Sequence, residues 1–169
     1  MRKFFLYFVI LTCGLALVQP KEAKLPQGIL RADKIDIDWD KNTLTAYPNP
    51  TLTLPDTQAQ AKQITVYLNE KGNIDKVIAE GSVMLKIVQV LKENIKQEIE
   101  GKAEKATLMG NNILLLEGGA EAKVTRSDRE GTSLIKADKI SVDMEKKSLK
   151  AEGNVHLEFP IPSQSQGQK

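Results

Sequence analysis

Apolar and polar residues alternate along most of this chain with the two-residue period of a β-strand. In the segment KIDIDWD, the apolar residues Ile35, Ile37 and Trp39 alternate with three aspartates. This is the pattern of a strand that has one face in a core and the other in water. Further segments repeat it, with Gly- and Asn-rich turn sequences between them. The pattern predicts an all-β fold made of consecutive hairpins.

One segment, VLKENIKQEIEGK, departs from strict alternation. Its residues Leu91, Ile95 and Ile99 recur every four positions, so a short helix is one interpretation. The β-branched isoleucines and the strand pattern on each side favour an extended loop or a hairpin arm instead.

The same strand, turn and strand occur near both ends of the chain. ADKIDIDWDKNTLTAYPNPTLTL, residues 32–54, aligns without a gap with ADKISVDMEKKSLKAEGNVHLEF, residues 137–159. Two looser copies lie between them, and the four units begin at Ala32, Ala61, Ala103 and Ala137. Such a period indicates stacked supersecondary units. The first and last units should therefore form similar ends of one sheet stack.

Glycine and proline mark special positions within these units. The later units contain AEGSV, LEGGA and AEGNV, where the first has AYPNP. Glycine in the middle of a strand pattern predicts a bend or bulge. Pro48 and Pro50 suit an edge, because proline cannot donate to a central ladder.

The termini differ from the repeats. Arg2 and Lys3 precede an uncharged, mostly apolar run, residues 4–18, which predicts a secretory signal peptide over 1–16. A retained short anchor and a lipid on Cys13 are the alternatives. We expect the folded domain over 29–159 and a disordered tail over 160–169, which is polar and without periodicity.

Composition limits the classes of partner. The chain has 169 residues with 41% hydrophobic but only 5% aromatic residues, which fits one domain with an aliphatic core. Its charges nearly balance, and no cluster of Lys and Arg with interleaved aromatic residues is present. Nucleic acid is therefore not an expected partner.

Sequence signatures of catalysis and of cofactor binding are missing. The chain has no GxSxG motif and no Gly-rich phosphate loop, and its one histidine, His156, falls on the polar face of a strand. The acidic run at Asp36 lacks the Gly and Glu of a calcium loop. We predict no enzyme, no metal site and no cofactor. Trp39 is predicted to lie in the core, or else to line the entrance of a groove.

The tandem units resemble a known family. Units of the form ADKIxVDxxxxxLxAxGNVxL after an export signal are similar to the LptA/OstA-like family of periplasmic lipopolysaccharide-transport proteins. IKADKISVDMEKKSLKAEGNVHLEF and AEGSVMLKI are the closest pieces, whereas Pro48, Pro50 and VQVLKENIKQEIEGK depart from the pattern. The resemblance implies an elongated antiparallel β-jellyroll whose apolar inner surface holds acyl chains.

The resemblance, with the alternation, also implies a set of inward-facing, lipid-binding residues. For any single one of them, plain core packing is the alternative. The set is Ile35, Ile37, Trp39, Leu52, Val66, Leu68, Val83, Leu85, Leu108, Ile113, Leu115, Ile140, Val142, Met144, Leu157 and Phe159.

The implied partners are lipopolysaccharide, through its lipid A acyl chains, and related β-jellyroll proteins paired end to end through open strands. A head-to-tail homo-oligomer in the periplasm that bridges the inner and outer membranes is expected. A membrane-tethered LptC-like role is the nearest alternative, and a structural β-repeat protein that binds no lipid is another. An enzyme with a fold-assembled carboxylate site is disfavoured, because the inward positions are almost wholly apolar.

Overall fold

The computed structural model describes residues 28–110 and 112–161. The expected leader, residues 1–16, and most of the expected tail lie outside these ranges. Among the described residues, no helix is long and apolar enough to cross a membrane.

Twelve strands form one antiparallel hydrogen-bonded network, so the all-β prediction is confirmed. VLKENIKQEIEGK forms two hairpin arms around a short 3₁₀ helix, Lys92–Asn94, which confirms the extended interpretation. The strands are β1 (Ile29–Arg31), β2 (Lys34–Asp38), β3 (Thr43–Tyr47), β4 (Thr51–Thr53), β5 (Thr57–Gln60), β6 (Gln63–Leu68), β7 (Ile74–Val90), β8 (Lys96–Met109), β9 (Ile113–Arg126), β10 (Thr132–Asp143), β11 (Ser148–Glu152) and β12 (His156–Glu158).

The four long strands, β7 to β10, pair with different neighbours at their two ends, and this divides the network into two halves. Half I is the part in which the strands pair in the order β2, β3, β6, β7, β8, β9, β10 and β11. In half II, β1, β4 and β5 lead into the same strands and β12 follows. Each half is thus eight strands wide, and the long strands belong to both.

The long strands bend where they pass from one half to the other. Their pairing registers shift there, between Glu80 and Val83 in β7 and between Lys102 and Lys105 in β8. Gly81 lies at the bend of β7 and Gly118 at the bend of β9, opposite the shift in β8. Their φ angles are +82° and +81°, in a region that side-chain-bearing residues rarely adopt. The predicted role of the central glycines is confirmed.

Pro48 and Pro50 do not lie at a sheet edge, so that prediction is wrong. They stand in the connection that carries the chain from β3 in half I to β4 in half II. Pro50 is fully buried, and its carbonyl accepts a hydrogen bond from the Ala61 N–H at 3.4 Å. A connection between halves needs no ladder donor at these positions, so proline is tolerated there.

The two near-identical sequence units form the two ends of half I, as predicted. Ile35 pairs with Ala46 in the β2–β3 hairpin, and Ile140 pairs with Ala151 in the β10–β11 hairpin, in the same register. The hairpins therefore have equivalent geometry, but β2 is the outer strand of one and β11 is the outer strand of the other.

The turns of these two hairpins are also equivalent. Asp38 accepts a hydrogen bond from the Lys41 N–H at 3.0 Å, and Asp143 accepts one from the Lys146 N–H at 2.9 Å. The Lys41 ammonium beside Asp38 and the Lys146 N–H on Asp143 each hold the pKa of the carboxyl below its ordinary value. The aspartates are thus ionised turn acceptors at neutral pH.

The bend geometry predicts unequal effects for two adjacent glycines. Gly118→Ala should destabilise the fold by about 1–2 kcal/mol through its positive φ. It should lose about 1 kcal/mol more by crowding, because the new Cβ would lie 2.9 Å from the Cβ of Glu104. Gly119→Ala is the control: its φ of +60° carries a similar conformational cost, but the space around its Cβ is open, so it should lose only that part. Urea unfolding measures both, and equal losses would contradict this account of the bend.

Candidate functional site

The inner faces of both halves carry continuous apolar rows, with one residue from each strand. Their alignment follows directly from the pairing register. Half I contains two such rows: Ile35, Ala46, Ile64, Ala79, Ala106, Leu116, Ile140, Ala151; and Ile37, Leu44, Val66, Val77, Leu108, Leu114, Val142, Leu149. Half II contains Leu30, Leu52, Ala59, Leu85, Gly101, Ala122, Ile135 and Leu157.

In the middle of the molecule these rows pack against each other. A Cβ added to Gly101 of half II would lie 2.9 Å from the Cδ1 of Leu85 and 3.0 Å from the Cδ1 of Leu116, which belongs to half I. Ile64, Ile99 and Leu116 are among the side chains less than 2% exposed. The centre of the interior is therefore filled by the protein's own side chains.

At two end strands, β2 in half I and β12 in half II, the inner apolar rows are exposed to solvent. Ile35 and Ile37 on β2 are 41% and 46% exposed, and Leu157 on β12 is 53% exposed. Each lies on an end strand, which has a neighbour on one side only. The apolar inner surface is thus closed at its centre and open at its two ends.

Most residues of the predicted inward set lie on these inner faces. Those of the inner strands are buried, Leu68 and Met144 are partly buried, and Ile35, Ile37 and Leu157 are exposed on end strands. Phe159 is 65% exposed just beyond β12. The buried members are Leu52, Val66, Val83, Leu85, Leu108, Ile140 and Val142.

Two members of the set are on the wrong face. Ile113 pairs with Asp143 and Leu115 pairs with Ser141, so both point outward, and Leu114 and Leu116 are the buried residues. The run ILLL is apolar at four successive positions, so alternation cannot fix its phase there.

Trp39 does not lie in the core, so the core prediction is wrong. Its side chain is 76% exposed in the turn between β2 and β3. It follows the last residue of an end strand, where no neighbouring strand covers it.

Several interior residues were missing from the predicted set. They are alanines near the bend and three isoleucines of the inner strands. They include Ile64, Ala79, Ile87, Ile99, Ala103, Ala106, Ala120, Ala122 and Ala137. The repeated unit starts were the available signal, because Ala61, Ala103 and Ala137 are all buried.

The polar groups of the outer face form local pairs. Lys86 Nζ lies 2.6 Å from Glu98 Oε1, and this hydrogen bond raises the pKa of Lys86. Asp36 accepts a hydrogen bond from the Tyr47 hydroxyl at 2.7 Å, and His156 lies 3.0 Å from Glu158. In the described part of the chain, no group of three His, Cys, Asp or Glu residues could hold a metal ion.

Comparison with known proteins assigns a family to this architecture. Residues 29–148 match the family described as LptA/(LptD N-terminal domain) LPS transport protein. The chain belongs to this family. The resemblance inferred from the repeats is thereby confirmed. No curated protein sequence matches the chain.

A solved structure shares the fold. It is the crystal structure of LptH from Pseudomonas aeruginosa, described as the LptA homologous periplasmic component of the conserved lipopolysaccharide transport device. The TM-score is 0.64 at 12% sequence identity, over 80% of this chain and 96% of that chain. At this identity the likeness shows the fold alone, and it confirms the predicted β-jellyroll.

The register of β9 predicts that alanine substitutions at two neighbouring leucines lower the stability of the fold by different amounts. Leu116→Ala removes a side chain that is 0% exposed and should cost about 2–5 kcal/mol. Leu115→Ala, on the outer face, should cost about 1 kcal/mol or less. Urea denaturation compares the two variants. The reverse order would show that β9 is shifted by one residue.

Proposed function

We propose that this protein is a periplasmic lipopolysaccharide carrier that shelters acyl chains between its two halves and forms part of a bridge between the inner and outer membranes. One observation carries the proposal: apolar inner rows run across both halves and are exposed at two of the four end strands, β2 and β12. Membership of the lipopolysaccharide transport family supports the choice of ligand.

An interior of this kind suits flexible hydrocarbon chains. The rows consist of aliphatic residues without charged groups, and burial of hydrocarbon is non-directional, at about 0.8 kcal/mol per methylene. Ile35 and Ile37 at one end and Leu157 at the other offer apolar surface where a chain could first make contact. Sugar and phosphate groups would stay outside in water.

The end strands support the bridging part of the proposal. β2 and β11 are the outer strands of half I, and they belong to hairpins of the same register and turn geometry. Outer strands leave main-chain groups free to pair with another strand. The β11 of one molecule can therefore extend the sheet onto the β2 of a second copy or of a related β-jellyroll protein. Such a heterologous contact does not close on itself.

Photocrosslinking in cells tests the ligand. A photoreactive residue at Ile37, on the inner face of β2, should capture lipopolysaccharide, because this position is 46% exposed to an entering chain. The same residue at Asp36, on the outer face of β2, is the matched control. Leu157 and Glu158 form a second such pair at the opposite end. Equal capture at inner and outer positions, or none, would contradict the proposal.

Charge substitutions at the β2 edge test end-to-end assembly. The double variant Ile35→Lys, Ile37→Lys should weaken self-association about tenfold or more, because it would place unpaired charge in an apolar joint. Asp36→Lys on the outer face adds the same net charge and is the control. Sedimentation velocity over a range of concentrations reports the assembly. Unchanged assembly of the double variant would exclude β2 as the joining edge.

A further inference from the structure

The inner face of half II ends in a polar row, at the strand ends farthest from the bend. Register aligns Gln89 of β7 with Gln97 of β8, and Gln97 with Arg126 of β9. Each lies two residues beyond an inner apolar residue of its own strand: Ile87, Ile99 and Val124. We call these three residues the polar row. The rest of the inner face of half II is mostly apolar, although Thr57 opposite Ile87 and Ser133 opposite Val124 are also polar.

Gln89 is the member of the polar row whose hydrogen bonding is incomplete. Its side chain is 7% exposed, and its Oε1 accepts from Gln97 Nε2 at 3.4 Å. Its Nε2 is buried and has no hydrogen-bond partner among the described residues. A buried donor left unpaired is destabilising, and buried polar groups nearly always have a partner. The unpaired amide therefore indicates an acceptor that comes from outside the described part of the chain.

A cavity adjoins the polar row at Arg126. Its volume is about 850 Å³, within the size range of ligand sites. Its walls combine apolar side chains with two guanidinium groups. The apolar residues are Val124, Phe159, Pro160 and Ile161, the cations are Arg126 and Arg129, and Glu130 adds a carboxylate. Arg126 is oriented by Asp128, whose carboxylate oxygens lie 2.9 and 2.8 Å from its nitrogens.

A further hydrogen-bond donor, from half I, lies beside the residue that follows Gln89. Lys147, in the turn between β10 and β11, donates from Nζ to the carbonyl oxygen of Val90 at 2.7 Å. Val90 is the residue after Gln89. Within the ranges 28–110 and 112–161, this is the one hydrogen bond that joins the turn ends of half I to those of half II. The remaining N–H groups of the ammonium are free to bind a ligand oxygen.

We infer that the polar row is a binding subsite for the acceptor oxygens of an amphiphile's head, carried on a phosphate or an acyl ester, while its chains lie along the apolar rows. The inference rests on the proposed function and adds an orientation to it. Gln89, Arg126 and Lys147 offer hydrogen-bond donors to such oxygens.

Displacement of a fluorescent hydrocarbon tests the inference. Diphenylhexatriene is bound to the full chain and displaced with dodecyl phosphate, methyl dodecanoate or dodecane. Gln89→Leu keeps the side-chain volume and removes the amide, so dodecyl phosphate or methyl dodecanoate should bind about tenfold more weakly. Dodecane should bind as before. Gln58→Leu, on the exposed outer face of half II, is the control.

The two head groups distinguish the sources of the oxygens. A loss confined to dodecyl phosphate assigns the subsite to phosphate, and a loss that extends to methyl dodecanoate assigns it to ester carbonyls. Unchanged binding of both would mean that the amide meets only water, and an equal loss for dodecane would mean a packing role. Either result overturns the inference while the carrier function stands. Failure of the wild-type chain to bind any of the probes would overturn both.

Stability separates a binding role from a folding role. Gln89→Leu removes a buried unpaired donor, so its urea midpoint should be equal to or higher than that of the wild type. If that variant does not fold, Gln97→Leu at the partly buried neighbour gives the same ligand comparison. A Gln97→Leu protein that binds dodecyl phosphate as the wild type does would then refute the subsite.

Discussion

The continuity of β7 to β10 through both halves is the constraint on which the rest of this structure depends. Each of these strands contributes inner residues to half I and to half II. The two apolar faces therefore cannot slide past each other, because each is anchored to the other by four covalent bends. Glycines with positive φ make two of those bends possible, Gly81 in β7 and Gly118 in β9, and contacts such as Gly101 with Leu116 then bring the faces together.

Period-two alternation was sufficient to predict the strands and the hairpin order, because each strand has one wet face. It failed where alternation is absent or changes phase. The ILLL run gives no phase, and at the bends of β8 and β10 the inner positions are three apart, from Ala103 to Ala106 and from Ala137 to Ile140. A local pattern cannot show this shift, since it depends on which residue of the neighbouring strand is opposite.

The polar row was invisible in the sequence for a related reason. Gln89, Gln97 and Arg126 are ordinary polar residues near predicted turns. Only the register of three strands places them side by side on an inner face. The family, in contrast, could be inferred early, because the repeated unit carries the strand, the turn and the bend glycine together in one short segment.

The filled centre of the interior limits the affinity with which an acyl chain could bind. An acyl chain that enters must displace contacts which side chains such as Ile64 and Leu116 already make with each other. Under the proposed function, binding is then an exchange of one set of apolar contacts for another, and its free energy is the difference between two similar terms. A protein of this kind binds an acyl chain weakly and regains its own side-chain packing when the chain leaves. Such weak binding favours transfer of the lipid to the next protein over its retention.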